Sequence, residues 1–435
     1  MPLPSTRLFY ILAFIAFIGL LASVWPNILS IWKISLYTLG FVAMIDLVLV
    51  YLKQPIEAFR DVPSSLPLGV SRRIKLRLHN HSNHSQTLAV YDHYPEEMDI
   101  EGLPVKLSID AGQYADIRYK LVSTERGGFA FPCIQLHLRS LLGLWQRNII
   151  LNVHSETRVY PNFAALSQYA LLATDNNLSQ MGIIKKRRRG EGQDFHQLRE
   201  YREGDALRQI DWKATSRSMK LISREYQDER DQEIIFMLDC GHRMLAKDDE
   251  LSHFDHTLNA ILLLSFVALR QGDAVGLSTF SGESRWIPPR KGYHTIQNIL
   301  NTVYDLQPSS ESPDFSKAAT DLMVRHKKRS LIIVLTNIRD EDSDDLLPAI
   351  RLLRKRHLVL VSSLREKIID DVLHKSIKKL PDAILNAATH QYLQHRKKAF
   401  EKLLINGTNA VETTPEHLSV ELINAYLNIK RSGVL

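Results

Sequence analysis

Two apolar runs near the N-terminus constrain this chain more than any other feature. Leu8–Val24 is 17 residues with Ser23 as its one clearly polar member, and Ile34–Leu52 is 19 residues interrupted by Asp46. A helix rises about 1.5 Å per residue and a hydrocarbon core is about 30 Å thick, so each run is near or at spanning length. A cleaved leader is the competing reading of the first run, with Arg7 as its basic start, but a second span follows at once. Trp25-Pro26-Asn27 is a short uncharged connection, so the pair reads as a hairpin with both ends on one side. Arg7, Lys53 and Arg60 flank those ends and only Lys33 lies near the turn. By the positive-inside rule the ends are cytoplasmic. A carboxylate inside a span is costly, so Asp46 is expected to face a helix partner or water. Pairing with Lys33 or a polar neighbour explains it better than transport, for which two helices offer little material.

The remainder of a 435-residue chain is too long for one ordinary core. Its composition, 45% hydrophobic and 24% charged, suits folded protein with one apolar insert, and the net charge of +7 suits work near anionic lipid or nucleic acid. Cys133 and Cys240 stand far apart and outside any CxxC pair, which excludes a disulfide framework and favours a reducing, cytosol-facing location.

From Pro63 to Pro161 the apolar period is two. Ile74, Leu76 and Leu78 alternate with Arg73, Lys75, Arg77 and His79, and about seven short strands follow in this style. That spacing predicts an immunoglobulin-like β-sandwich. His79, His81 and His84 could be grouped as metal ligands, but Asn80 and Asn83 between them make solvated turn histidines the expectation. A linker follows with five consecutive cations, Lys185, Lys186, Arg187, Arg188 and Arg189. It is a candidate anion-binding run, without the interleaved aromatics that single-strand stacking needs.

The stretch after it mixes charges of both signs with Tyr201, Ile210 and Trp212. Arg202, Asp205, Arg208, Asp211, Trp212 and Lys213 are read as a partner-binding or structural network, because charges taken out of water persist only when paired. His196 beside Asp194 or Asp211 could form an acid–base pair for a hydrolase, but no nucleophile or oxyanion hole accompanies it. From Glu233 onward strands and helices alternate, which predicts a parallel sheet covered on both faces. Ligands of such sheets sit at the carboxyl ends of the strands, where Asp239 and Asn337 fall.

Gly204-Asp205-Ala206-Leu207-Arg208-Gln209-Ile210-Asp211-Trp212-Lys213, with Arg224-Glu225 and a strand ending in Asp239, resembles the bacterial domain of unknown function 58 family. Arg126-Gly127-Gly128, Gly143-Leu144 and Tyr160-Pro161 extend the likeness into the β segment. The resemblance implies a von Willebrand factor A-like, Rossmann-type α/β domain and association with MoxR-type AAA+ ATPases. It also implies a place to look for a metal-ion-dependent adhesion site, whose first element is Asp-x-Ser-x-Ser. Here that element reads Asp239-Cys240-Gly241-His242-Arg243, and the later acidic position reads Asn337. Only the aspartate matches, so Asp239, Gly241, Arg243 and Asn337 are read as a degenerate site, Asp239 being the one weak metal candidate. No cofactor is expected.

The organisation expected is a transmembrane hairpin over 1–55, a β-sandwich over 56–162 and a basic linker with the charged signature over 163–229. An A-like α/β domain over 230–380 and C-terminal helices over 381–435 complete it. The function expected is that of a non-enzymatic adaptor, two-pass in a bacterial inner membrane with its domains in the cytoplasm. It would dock a MoxR-type ATPase or another protein and bind no specific nucleic acid.

Overall fold

The computed structural model describes residues 2–25, 29–52, 56–162, 194–202, 205, 207–227, 232–248 and 251–432. The chain divides into two compact units, Met1–Tyr160 and Pro161–Leu435.

In the first unit, strand β1 (Pro2–Pro4) leads into helices α1 (Thr6–Val24) and α2 (Leu29–Leu52). Both are long and apolar enough to cross a membrane. Ser5 caps α1, its hydroxyl accepting from the Leu8 amide. Phe14, Leu20, Phe41 and Met44 stand exposed on the two helices, as side chains facing lipid would be. The helices meet where Trp32 lies over Gly19, whose missing Cβ would fall 2.6 Å from the indole nitrogen. That nitrogen donates to the Ile15 carbonyl at 3.0 Å.

Asp46 is fully buried, and backbone amides hold it instead of Lys33. It accepts from the Leu142 and Leu144 amides at 3.1 and 3.3 Å, in the turn between strands β10 and β11 introduced below. The Ser5 amide donates to the Leu144 carbonyl and the Trp145 indole to the Ala43 carbonyl, each at 2.8 Å. A carboxylate with two backbone donors can stay within an apolar helix because the turn replaces its water. The hairpin is thereby fastened to the sheet that follows.

Among the described residues, that β region holds three sheets. The first orders β1, β11 (Trp145–Leu151), β10 (Ile134–Arg139), β5 (Gln86–Asp92) and β7 (Val105–Ile109). The second orders β2 (Ile56–Asp61), β4 (Arg72–Asn80), β8 (Tyr114–Ser123) and β6 (Met98–Glu101). The third joins β3 (Ser65–Pro67), β12 (Ser155–Tyr160) and β9 (Gly127–Phe131). Pairing is antiparallel except between β3 and β12. The period of two does what it must: Ile74, Leu76 and Leu78 are fully buried while Arg77 is exposed.

The second unit opens on the antiparallel pair β13 (Asp194–Glu200) and β14 (Ile222–Gln227), with the short helix α3 (Trp212–Ser218) between them. Then β15 (Glu233–Asp239) enters a larger sheet, followed by the small pair β16 (Lys247–Asp248) and β17 (Leu251–Ser252). The sheet continues with β18 (Ala274–Phe280), β19 (Trp286–Arg290), β20 (Leu331–Thr336), β21 (Leu358–Leu364) and β22 (Asn409–Thr413). Its order is β19-β18-β15-β20-β21-β22, parallel throughout except for edge strand β19. Helices α4 (His253–Arg270), α5 (His294–Val303), α6 (Phe315–Arg325), α7 (Ser343–Arg354), α8 (Lys367–His374), α9 (Leu380–Ile405) and α10 (Leu418–Ser432) accompany it. Leu258, Ile261 and Leu262 of α4 and Leu422 and Tyr426 of α10 pack with Phe236 and Leu238 in one core. Phe315, Leu322, Ile350 and Leu353, from α6 and α7, pack with Ile235 and Met237 in the other. Successive β15 residues face opposite ways, so the cores lie on the two faces and the strand is apolar throughout.

Two features of the sheet's edges were not part of the sequence expectation. β19 carries Pro288 and Pro289, which an edge strand admits. The segment 381–435, expected to be helices alone, also supplies β22, and α10 packs into the core. Asn409-Ala410-Val411-Glu412-Thr413 is a half-exposed edge strand without an apolar run to announce it.

Candidate functional site

The carboxyl ends of β15, β20 and β21 form the polar centre of the second unit. β15 ends in Asp239, fully buried. One carboxylate oxygen accepts from the Gly241 amide at 2.8 Å and the other from the Thr336 hydroxyl at 2.6 Å. Burial pushes the Asp239 carboxyl up, and the Thr336 and Gly241 donors work against that rise. Gly241 has no room for a side chain: a Cβ there would fall 2.9 Å from the Glu311 carbonyl oxygen and 3.0 Å from Asp239 Oδ1. The missing serine is therefore part of a loop closed around glycine.

Arg243 turns to the acidic segment after β20, pairing with Asp342 and reaching Glu341 at 3.4 Å. Asn337, fully buried just past β20, donates to Glu366 Oε1 at 2.8 Å. Its own carbonyl accepts from Arg396 Nη1 at 2.8 Å.

Arg396 went unnoticed in the sequence. It projects from α9 and is 2% exposed. Its guanidinium donates to Glu412 at 2.5 Å, to Ser363 Oγ at 2.9 Å and to the Leu364 carbonyl. Glu366 Oε2 lies 3.7 Å away. Burial opposes the arginine's charge, but Glu412 and Glu366 outweigh it and raise its pKa. Burial likewise opposes the Glu366 charge, and the Asn337 amide and Arg396 hold that carboxyl below its usual range. Nothing in the sequence distinguishes Arg396 from its neighbours Lys397 and Lys398, since its partners lie on other elements.

This donor set does not suit a divalent cation. Hard cations need several free oxygens. Both Asp239 oxygens are taken, Gly241 offers none, and Asn337 is held between Glu366 and a guanidinium. An open cleft beside this centre, between α9 and the acidic segment, is lined by Arg339, Asp340, Ser343, Tyr392 and His395. His395 Nδ1 pairs with Asp340 at 3.0 Å.

The signature segment sits apart in sequence, on β13, α3 and β14. Arg199 makes a two-pronged bond to Asp205 at 2.7 and 2.9 Å, and the Arg202 amide donates to the same carboxylate at 3.0 Å. These contacts hold Asp205 below the usual carboxylate range. Asp211 caps α3, accepting from the Lys213 and Ala214 amides, and also takes Arg224 Nε at 2.9 Å. Its carboxyl is lowered by those donors. The expected network is thus two clusters whose side-chain cations are Arg199 and Arg224. Arg202 and Lys213 contribute backbone amides, while the Arg208 and Lys213 side chains are exposed. Trp212 is 68% exposed, with Leu207 at 73% and Met219 at 90%. Lys185, Lys186, Arg187, Arg188 and Arg189 lie outside the described residues, as does the His196 side chain, although His196 belongs to β13.

A parallel-stranded α/β unit with this signature has known relatives. Residues 197–377 match the family described as "Protein of unknown function DUF58". The uncharacterized protein YeaD of Bacillus subtilis (strain 168) is 20% identical over 225 residues, 52% of this chain and 54% of its own length. The chain spans about half the length of this curated relative. Among solved structures, an aerotolerance-related membrane protein from Bacteroides fragilis NCTC 9343 is 16% identical, covering 46% of this chain and 99% of that one at a TM-score of 0.30. A Salmonella alpha-2-macroglobulin mutant is 17% identical, covering 24% of this chain and 7% of that one at a TM-score of 0.20. Likenesses at these scores fix neither fold nor function here.

Proposed function

We propose that this protein is a membrane-anchored, non-enzymatic adaptor. Its hairpin crosses a bacterial inner membrane twice and leaves both folded units in the cytoplasm. The first unit acts as an immunoglobulin-like spacer. The second acts as a von Willebrand factor A-like docking domain for a protein partner, with a MoxR-type AAA+ ATPase as the partner that the family resemblance suggests. The observation that carries this reading is the exposure of Leu207, Trp212 and Met219 within the signature segment. Tryptophan and methionine are enriched at protein interfaces and costly to leave in water without use. The sheet's carboxyl edge supports the same reading, because Asp239, Asn337 and Arg396 are each held by neighbouring groups.

The test is binding of a purified MoxR-type ATPase, from the same genome, to the full chain in lipid nanodiscs. The double variant Trp212→Ala with Met219→Ala should weaken binding at least about tenfold, as loss of interface anchors does. Equal binding by the variant removes the signature as the docking surface, and no binding by the parent chain removes the ATPase as partner. A reporter fused after Ser432 should be active only in its cytoplasmic form.

A further inference from the structure

We propose that Glu57, His79 and His81 form a binding site for a divalent transition metal of the zinc class, just beyond the second apolar helix. Glu57 lies on β2, five positions past Leu52, where α2 ends. His79 is its register partner on β4, and His81 follows that strand. Their ligand atoms all lie within 4.8 Å of one another.

The geometry within the group is what asks for a cation. His81 Nε2 stands 2.9 Å from Glu57 Oε2 and 2.9 Å from His79 Nδ1. A ring nitrogen has one in-plane position, holding either a proton or a lone pair. As a donor, His81 Nε2 aims one N–H at two acceptors and satisfies each poorly. As an acceptor from His79, it turns a lone pair toward a carboxylate. A metal ion resolves both cases, because three lone pairs can then point at one charge.

The frame is also built. The His79 ring lies against Tyr114, centroids 4.0 Å apart and planes within 10°. Between the two histidines, the buried Asn80 side chain donates to the carbonyls of His84, Ile109 and Asp110. It also accepts from the Ser82 amide. This fixes the turn that aims His81 back at β2. Of the three turn histidines, the structure gathers two and replaces His84 with Glu57.

Two imidazoles and one carboxylate leave a fourth, water-filled position. Nitrogen donors favour zinc, nickel or copper over magnesium or calcium, which want oxygen.

The experiment uses the full chain in detergent, stripped with a chelator and desalted. Zinc alone is titrated against a chromophoric chelator, and cobalt alone is followed by its visible absorption. One equivalent should bind, with affinity falling at least about tenfold in His81→Gln and in Glu57→Gln, since even outer partners of a site cost that much. His84→Gln and Asp239→Asn should bind as the parent does. The Glu57, His81 and His84 side chains lie at the surface, and matching circular dichroism of all the variants will show that the fold persists. Absence of a binding equivalent, or binding undiminished in His81→Gln and Glu57→Gln, overturns the site.

Discussion

Arg60 and Arg396, one in each unit, both have buried side chains, and they are buried for different ends. Arg60 sits in a β-sheet with its side chain and that of Asp92 at 0% exposure. It donates to Asp92 and to the carbonyls of Phe131, Val153 and Cys133 at 3.0, 2.7 and 3.1 Å. Tyr119 closes the group by donating to Asp92 at 2.7 Å. Burial, and then the Asp92 charge, drive the Tyr119 hydroxyl far above its ordinary pKa. Arg396 instead hangs from a helix and reaches the end of a sheet, where its carboxylate partner Glu412 is still 27% exposed. The first is a sealed pair among strands; the second is a latch between α9 and the carboxyl edge. The difference predicts unequal responses to the same kind of substitution.

The largest expected effect is at Arg60. Removing one partner of a buried pair leaves an uncompensated charge, which costs about 3–5 kcal/mol. Arg60→Met should therefore destabilise the first unit by that much, read by hydrogen exchange in β2 and β5. Adding Asp92→Leu and Tyr119→Phe should return most of the loss, because no orphan then remains. A single variant as stable as the parent would show that water reaches the pair.

Arg396→Met should cost less, about 2–3 kcal/mol, because Glu412 can turn to solvent when the guanidinium leaves. The signature of a latch is locality: faster exchange in α8, α9 and β22, with β15 protected as before. Arg396→Lys should rescue little. An ammonium cannot span Asn337, Ser363, the Leu364 carbonyl and Glu412 together. Uniform loss of protection through the sheet would make Arg396 an ordinary core residue.

A buried base with no counter-charge among the described residues sharpens the contrast further. His357, 4% exposed between α7 and β21, has its pKa pushed down to about 4 by burial, with His326 and Arg356 adding to the fall. Its folded pKa lies below its unfolded value near 6.5. The unfolded chain therefore binds a proton that the folded one refuses, between about pH 6.5 and 4. Stability of the second unit should fall as pH drops through that window. His357→Gln should flatten the slope, and an unchanged slope would assign it to other groups.

How far the sequence could carry this follows from where each partner sits. The alternation Ile74, Leu76, Leu78 and the apolar run of β15 announce themselves, because a strand's burial is written in its own residues. The end of β15 at Asp239 marked the polar edge for the same reason. Arg60, Arg396 and Asp46 could not be placed that way. Asp92 is 32 positions from Arg60, Ser363 is 33 from Arg396, and the amides that hold Asp46 are 96 and 98 positions on. Backbone donors leave no trace in side-chain identity at all. Gly241 was legible as a departure from the Asp-x-Ser-x-Ser pattern, but the Glu311 carbonyl that forbids a side chain there was not. β22 escaped because a half-exposed edge strand needs no apolar run.

The smallest expected effect belongs to a third arginine, and it tests whether burial rather than pairing governs the other two. Arg77 on β4 makes a two-pronged contact with Asp116 on β8 at 2.8 and 3.2 Å, geometry as good as that of the buried pairs. Lys75 reaches the same carboxylate at 2.9 Å. Together the two cations hold Asp116 far below the usual carboxylate range. Both side chains of the Arg77–Asp116 pair are nonetheless open to water, at 48% and 35% exposure. Solvent screens the attraction and rehydrates whichever partner remains, so Arg77→Ala should leave the unfolding midpoint of the first unit unmoved within error. Raising salt should not separate variant from parent. A loss comparable to that of Arg60→Met would mean that contact geometry, and not exclusion of water, sets the cost, and the distinction between a sealed pair and a latch would go with it.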